Sequence, residues 1–252
     1  MDWRTIGQGL RIGGHRGAAG EAPENTLAGF EAALRDGADY LECDVHLTTD
    51  GVAVVIHDHE LERTSNGQGP VAGMTARELA DLDAGAWFDP RFAGQRIPRL
   101  AELLAWLEAR PQIGATIEAK GLGTAAVVAA RIAASPARER LSVCSSDPDK
   151  LRAAASVAPD VARLLIADRD APDADPIALA RSALATGINL PWDRCDRALV
   201  DRLHQANLLV AGGTADTPEA IRTCLELGID AVDSNSPSIT VPARTAWLRG
   251  NG

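Results

Sequence analysis

The 252-residue chain is short of several things, and each shortage removes a class of protein. Its four cysteines, Cys43, Cys144, Cys195 and Cys224, are widely spaced with no CxxC pair, which leaves no disulfide framework to read and suits reduced, buried thiols. Positive charge is in deficit: 25 Lys and Arg stand against 35 Asp and Glu, a formal net charge of −10. That argues against broad nucleic-acid binding, which needs a basic footprint. A small anionic ligand is still permitted, because a local cluster of Arg, Lys or metal can reverse the potential inside a cleft. No apolar run approaches a membrane span, and the opening MDWRTIGQGLRIGGHRG has none long enough for a signal peptide, so a soluble cytoplasmic protein without stable membrane insertion is expected. Linkers and low-complexity tracts are missing too. There is no GxGxxG or P-loop to anchor a doubly wound nucleotide-binding sheet.

What is present alternates. Short apolar runs at 10–14, 40–45, 52–57, 113–119, 141–145, 161–166, 187–190, 207–211 and 230–233 read as strands. Between them, amphipathic stretches at 25–36, 76–82, 99–109, 124–134, 148–157, 176–185, 196–205 and 217–227 read as helices. Strands alternating with crossover helices pair in parallel. Eight of the nine strands fit β/α units, and the length suits a (β/α)8 barrel, an α/β fold forming one domain over 1–252. Run 52–57 follows 40–45 after a Thr48-Thr49-Asp50-Gly51 turn, a hairpin signal. It therefore opens an excursion, at about 47–97, expected to cap one mouth of the barrel after its second strand.

The first 58 residues hold His15-Arg16-Gly17, Pro23-Glu24-Asn25-Thr26, Glu42-Cys43-Asp44 and His57-Asp58 in succession. Strand alternation puts Glu42 and Asp44 on one face and Cys43 on the other. The same parity puts Glu118 and Lys120 on one face, with Ile117 and Ala119 behind them. Both pairs lie at the C-terminal ends of their strands, where barrel active sites are built. Three carboxylates meeting at one mouth repel each other unless a cation lies between them, and oxygen donors without thiolates suit Mg²⁺ or Ca²⁺ rather than structural zinc. Taken alone, Glu118 and Lys120 also read as an internal salt bridge. His15 and His57 end apolar runs where acid/base histidines are useful, and Arg16 and Lys120 suit phosphate oxygens. A phosphate ester is the first substrate to consider. His46, in register with Glu42 and Asp44 but past the expected strand end, and His59, beside Asp58, read as surface residues, with support of the site residues as the alternative, and His204, in a helical pattern, reads as solvated.

In order, HRG, PENTLAGFEAAL, GADYLECDVHLTTDGVAVVIHD, LERTSNGQGPVAGMTARELADLDAGAWF, IPRLAELLAWL and IEAK resemble the glycerophosphodiester phosphodiesterase family over about residues 11–120, with a looser match beyond. The resemblance implies a TIM barrel with a subdomain after the second strand. It also implies one divalent cation on Glu42, Asp44 and Glu118, acid/base work by His15 and His57, and phosphate neutralisation by Arg16 and Lys120. The implied reaction is hydrolysis of a small-molecule glycerophosphodiester to glycerol 3-phosphate and an alcohol, with water or the glycerol 2-hydroxyl as nucleophile. Asn25 is either the N-cap of the first helix or a hydrogen-bond partner within the site.

Two departures bear on the substrate pocket. Where the family commonly has Ser-Phe-Asp, this chain has Ser145-Ser146-Asp147, and Gly213 takes the place of a tryptophan in the run to Asp216. Losing both aromatics implies a wider, more polar pocket, which Trp192 partly refills unless it packs elsewhere. A bulkier diester (a lysophospholipid, a glycerophosphoinositol or a sugar phosphodiester) is the alternative substrate. For a lysophospholipid, Ala86-Trp87-Phe88 either forms an apolar rim or packs the excursion onto the barrel. A non-catalytic phosphate-binding protein is a remoter reading, because binding alone has no use for two acid/base histidines. Oligomeric state leaves no mark in the sequence.

Overall fold

A computed structural model describes residues 2–167 and 174–250. Eight parallel strands close into a TIM barrel: β1 (Arg11–Gly14), β2 (Tyr40–Leu47), β4 (Gly114–Ala119), β5 (Leu141–Ser145), β6 (Ala162–Ile166), β7 (Gly187–Leu190), β8 (Leu209–Gly212) and β9 (Ala231–Ser234). Closure is made by β1, which pairs with β9 from Arg11↔Ala231 to Gly14↔Ser234 and with β2 at Gly13↔Tyr40. The outer layer comprises α1 (Leu27–Arg35), α3 (Leu100–Glu108), α4 (Thr124–Ala134), α5 (Pro148–Val157), α6 (Pro176–Ser182), α7 (Arg197–Gln205), α8 (Pro218–Leu227) and α9 (Pro237–Gly250). The sequence reading ended its helices at α8; α9 was not anticipated, because Pro242 stands inside it and an internal proline normally argues against a helix.

Alternation along the strands sorts the core into two shells. Leu41, Cys43, Val45, Ile117, Val143, Ile188 and Val210 face the helices, whereas Trp3, Tyr40, Cys144, Leu164, Leu209 and Ala211 fill the barrel. Trp3 is 1% exposed and its indole Nε1 donates to the carbonyls of Ala115 and Arg140, so the N-terminal segment plugs the lumen from one end. Tyr40 needs a strand neighbour with no side chain: a Cβ on Gly13 would lie 2.2 Å from its ring.

The excursion after β2 begins as expected. Strand β3 (Ala53–Val55) runs antiparallel to β2, pairing Val45↔Val55 and Leu47↔Ala53. The chain then continues through 3₁₀ turns and the short α2 (Ala76–Leu79) before α3. It carries its own apolar cluster of Val54, Ile56, Leu61, Val71, Leu79, Ala84 and Ile97. Thr75 and Glu78 form a reciprocal capping box at the start of α2. Trp87 stacks edge-on to Phe88, and Phe88 to Phe92, while 40% of Trp87 stays exposed. No helix among the described residues is long and apolar enough to cross a membrane.

Candidate active site

The parity read from β2 and β4 holds: Asp44 pairs in register with Glu118, and Glu42 with Thr116. Carboxylate oxygens of Glu42, Asp44 and Glu118 lie within 4.8 Å of one another, a grouping that could hold a metal ion. Glu42 and Asp44 are buried and Glu118 half-buried. Lys120 follows β4 and sets its ammonium 2.7 Å from Glu118 and 3.1 Å from Asp44. The internal salt bridge is therefore present, embedded in the cluster rather than separate from it.

His15 and Arg16 leave the end of β1. The His15 backbone donates to the Ser234 carbonyl at 2.9 Å, and its ring Nδ1 lies 2.8 Å from Asn235 Oδ1. Since the amide oxygen accepts, the ring proton sits on Nδ1. The Asn235 orientation is fixed in turn by Asp216, which accepts from its backbone N–H and from Nδ2. His15 Nε2 faces Glu42 at 3.9 Å. Arg16 adopts a left-handed φ of 52°, which costs energy for a side-chain-bearing residue. This turns its N–H onto Glu42 at 3.0 Å and its guanidinium towards Glu24 (3.0 Å) and Asp44 (3.5 Å). Asn25 is also left-handed, at 56°, and donates to Asp44 Oδ2 at 2.9 Å while accepting from the Asp44 N–H. Of the two readings for Asn25 the second holds, because Thr26 is the N-cap of α1 and its hydroxyl accepts from Gly29 N. The turn needs Gly17: its φ is 89°, and a Cβ there would lie 2.6 Å from the Gly29 backbone.

His57 ends the run that contains β3. Its Nδ1 lies 2.6 Å from Asp58 Oδ1, and Arg63 pairs with Asp58 and with Glu24. His46 corrects the surface reading: it is 4% exposed, donates from Nε2 to the His57 carbonyl at 2.9 Å and meets the His59 ring edge-on, while His59 itself is exposed. The reason is the alternation of β2, whose inward face continues from Glu42 and Asp44 to residue 46. His204 is likewise not simply solvated, since Nε2 lies 2.9 Å from the buried Asp230.

A cavity of about 270 Å³ opens at this mouth, lined among others by His15, Glu42, Glu118, Asn189, Gly213 and Asp233. Gly213 thus faces the cavity. Trp192 is half-buried and donates from Nε1 to the Thr214 carbonyl without lining it. Ser146 is exposed and lines a second cavity of about 420 Å³. Asp233, Asn235 and Asp216 escaped the sequence reading. The alternation that marked Glu42 would have marked Asp233, since Ala231 and Asp233 share a face of β9; Asn235 and Asp216 lie in loops with no periodic signal.

The electrostatics are uneven. Burial pushes the Glu42 carboxyl well above the usual range, and repulsion from Asp44, Asp233 and Glu118 adds to it. Burial also raises Asp233, against the hydrogen bonds from Tyr40 and Asn189. For Asp44, burial alone would raise the carboxyl, yet the charges of Lys120, His57 and Arg16 and the Asn25 hydrogen bond hold it below its ordinary value. The cluster of Glu42, Asp44 and Glu118 faces the fixed cations Arg16 and Lys120 but stays crowded enough with negative charge to push the Glu42 carboxyl up. An all-oxygen donor group short of positive charge fits a hard cation.

A family model described as the glycerophosphoryl diester phosphodiesterase family matches residues 15–239. The chain belongs to that family. A glycerophosphodiester phosphodiesterase of Bacillus altitudinis is 31% identical over 241 residues, covering 93% of this chain and 98% of that protein. A glycerophosphodiester phosphodiesterase of Caldanaerobacter subterraneus is 52% identical over 89 residues, and in that match the chain spans only 37% of the relative's length. Among solved structures, an Oleispira antarctica phosphodiesterase in complex with its product sn-glycerol-3-phosphate superposes with a TM-score of 0.84 at 28% identity, covering 92% of this chain and 96% of that one. Members of this family are phosphodiesterases.

Proposed function

We propose that this chain hydrolyses glycerophosphodiesters to glycerol 3-phosphate and an alcohol, with a divalent cation, Mg²⁺ or Ca²⁺, held by Glu42, Asp44 and Glu118. The observation that carries this reading is the pair of histidines beside the carboxylate cluster, each with Nδ1 engaged by a fixed acceptor. In the neutral ring that leaves Nε2 as a base. The cation supplies charge to the non-bridging phosphate oxygens as they become more negative. Arg16 brings a planar guanidinium to the same oxygens, and Lys120 an ammonium. Lys120 already contacts two of the three carboxylates, so its ammonium is held at the edge of the group that would hold the cation.

His15, whose acceptor is a neutral amide, takes the proton from the nucleophile, which is either a water or the glycerol 2-hydroxyl, the latter giving a cyclic phosphate that a water then opens to glycerol 3-phosphate. His57, which forms an ion pair with Asp58 when protonated, donates to the leaving alcohol as the P–O bond breaks. The segment at about 47–97 acts as a cap that delivers His57 to a single barrel domain. Four free cysteines, three of them buried, suit a reducing compartment such as the cytoplasm.

A bulkier diester is the second reading, and one observation favours it. The 420 Å³ cavity is walled by Leu165, Ile166, Leu190 and Pro191 beside Ser146, and Ile166 also lines the catalytic cavity. An apolar or large alcohol therefore has space next to the phosphate site. The test is a panel of glycerophosphodiesters with and without EDTA, scoring glycerol 3-phosphate, with His15→Ala and Glu42→Ala alongside. Turnover should need the metal and vanish in both variants. Activity that survives EDTA, or full activity in either variant, overturns the mechanism, and cleavage of bulky diesters alone moves the substrate to the second reading.

A further inference from the structure

Arg63 touches neither the carboxylate cluster nor the catalytic cavity, yet it makes four hydrogen bonds. It lies on the excursion between β3 and α2, two residues beyond the fully buried Leu61. Its Nε and Nη2 donate to the two oxygens of Asp58 at 2.5 and 2.9 Å. Its Nη1 and Nη2 donate to the two oxygens of Glu24 at 2.8 Å each. Each carboxylate has a second partner: Asp58 Oδ1 takes His57 Nδ1 at 2.6 Å, and Glu24 Oε1 takes Arg16 Nη1 at 3.0 Å. One guanidinium thus joins the carboxylate behind His57 to the carboxylate behind Arg16.

We propose that Arg63 is a positioning residue that locks Asp58 to Glu24 and so fixes the ring of His57 relative to the guanidinium of Arg16. The inference rests on the roles given to His57 and Arg16 under the proposed function. Arg63 is about half exposed, and ion pairs of that kind add little stability. What the double bidentate contact provides is direction, because a planar five-donor fork fits two carboxylates in one plane and an ammonium cannot. His57 arrives on the excursion and Arg16 on the barrel, two parts of the chain whose relative placement the reaction needs to within a fraction of an ångström. Without Arg63, Glu24 keeps only Arg16 and Asp58 keeps only His57, and each pair is free to drift.

The test compares Arg63→Gln and Arg63→Lys with the parent chain. For a partner that orients a catalytic ring, Arg63→Gln should lower kcat by about 10- to 100-fold. Arg63→Lys, which restores charge but not the fork, should recover part of that loss. In a Glu24→Gln/Asp58→Asn background the Arg63→Gln change should cost little more, since the groups act as one unit. A proton resonance of His57 Nδ1–H, assigned by its loss in Asp58→Asn, should shift in Arg63→Gln. A kcat and KM within about twofold of the parent, an undiminished cost in the double background, or an unmoved resonance each overturns the proposal. If Arg63→Gln fails to fold, Arg63→Lys carries the same readouts. Failure of the phosphodiesterase reading is distinguishable, because the parent would then release no product while the His57 resonance still reports on Arg63.

Discussion

At the scale of single residues, the proposed site has side chains placed to touch substrate and others placed only to aim them. Asn235 is of the second kind, holding the Nδ1 proton of His15 while Asp216 holds Asn235. Asn235→Ala is expected to lower kcat by about 10- to 100-fold with a smaller change in KM, because the ring loses its tautomer and aim rather than its contact with substrate. Steady-state kinetics check this, and an unchanged kcat contradicts it. Gly17 is structural in the same turn. Gly17→Ala adds the penalty of a side chain at positive φ, about 1–2 kcal/mol, and forces a Cβ to 2.6 Å from the Gly29 backbone. Denaturant unfolding should show a loss above that penalty, and unchanged stability would mean the turn relaxes freely. The sequence made Glu42, Asp44 and Glu118 legible because strand parity is a rule of period two, and it made His15 and His57 legible as polar ends of apolar runs. It could not reveal that Asn25 serves Asp44 while Thr26 caps the helix, because both residue types cap helices and Asn is the stronger N-cap of the two.

Among elements, the barrel strands and most helices were readable from periodicity, and their ends moved by at most three residues. The exceptions have physical causes. Helix α9 was hidden by Pro242, which has no amide hydrogen to give the preceding turn. His46 was misread because β2 runs on to Leu47, past the end expected at 45, and carries the inward face with it. The short helix expected in the excursion is present as α2, but the cluster that holds the excursion together was not legible, since its apolar residues follow no period and meet only in three dimensions. Its cohesion can be tested at Leu61, which is fully buried at the centre of that cluster and precedes Arg63 by two positions. Leu61→Ala should cost about 2–5 kcal/mol, as for other large-to-small changes in a closed core. Because the cluster is separate from the barrel shells, amide exchange should quicken across 48–98 before it quickens in the barrel strands. Uniform acceleration over the whole chain would show instead that excursion and barrel unfold as one unit.

For the whole molecule, the uneven charge at the mouth links folding, pH and cation binding. Glu42 and Asp233 hold their protons more tightly in the folded chain than their ordinary values of 4.5 and 3.8 allow when unfolded. Over the interval above those values the folded state binds more protons than the unfolded one, so these two groups make stability fall as pH rises. Glu24, Asp44 and Asp58 are shifted the other way by their Arg, Lys and His partners, against burial at Glu24 and Asp44. Their contribution is complete above the ordinary carboxylate range and is lost as pH falls below it. In the metal-free chain, Glu42 and Asp233 should therefore work against the stability that Glu24, Asp44 and Asp58 supply above the ordinary carboxylate range. A divalent ion held as proposed by Glu42, Asp44 and Glu118 would need them deprotonated, so its stabilisation should grow with pH. At about 100 times its Kd it adds about 2.7 kcal/mol. Thermal unfolding in EDTA and in Mg²⁺ or Ca²⁺, at pH 5 and at pH 8, measures both effects. The cation-induced rise in Tm should be larger at pH 8, and should shrink at both pH values in Asp44→Asn, which removes one ligand charge. An equal rise at the two pH values, or one that survives Asp44→Asn intact, would place the bound ion away from Glu42, Asp44 and Glu118.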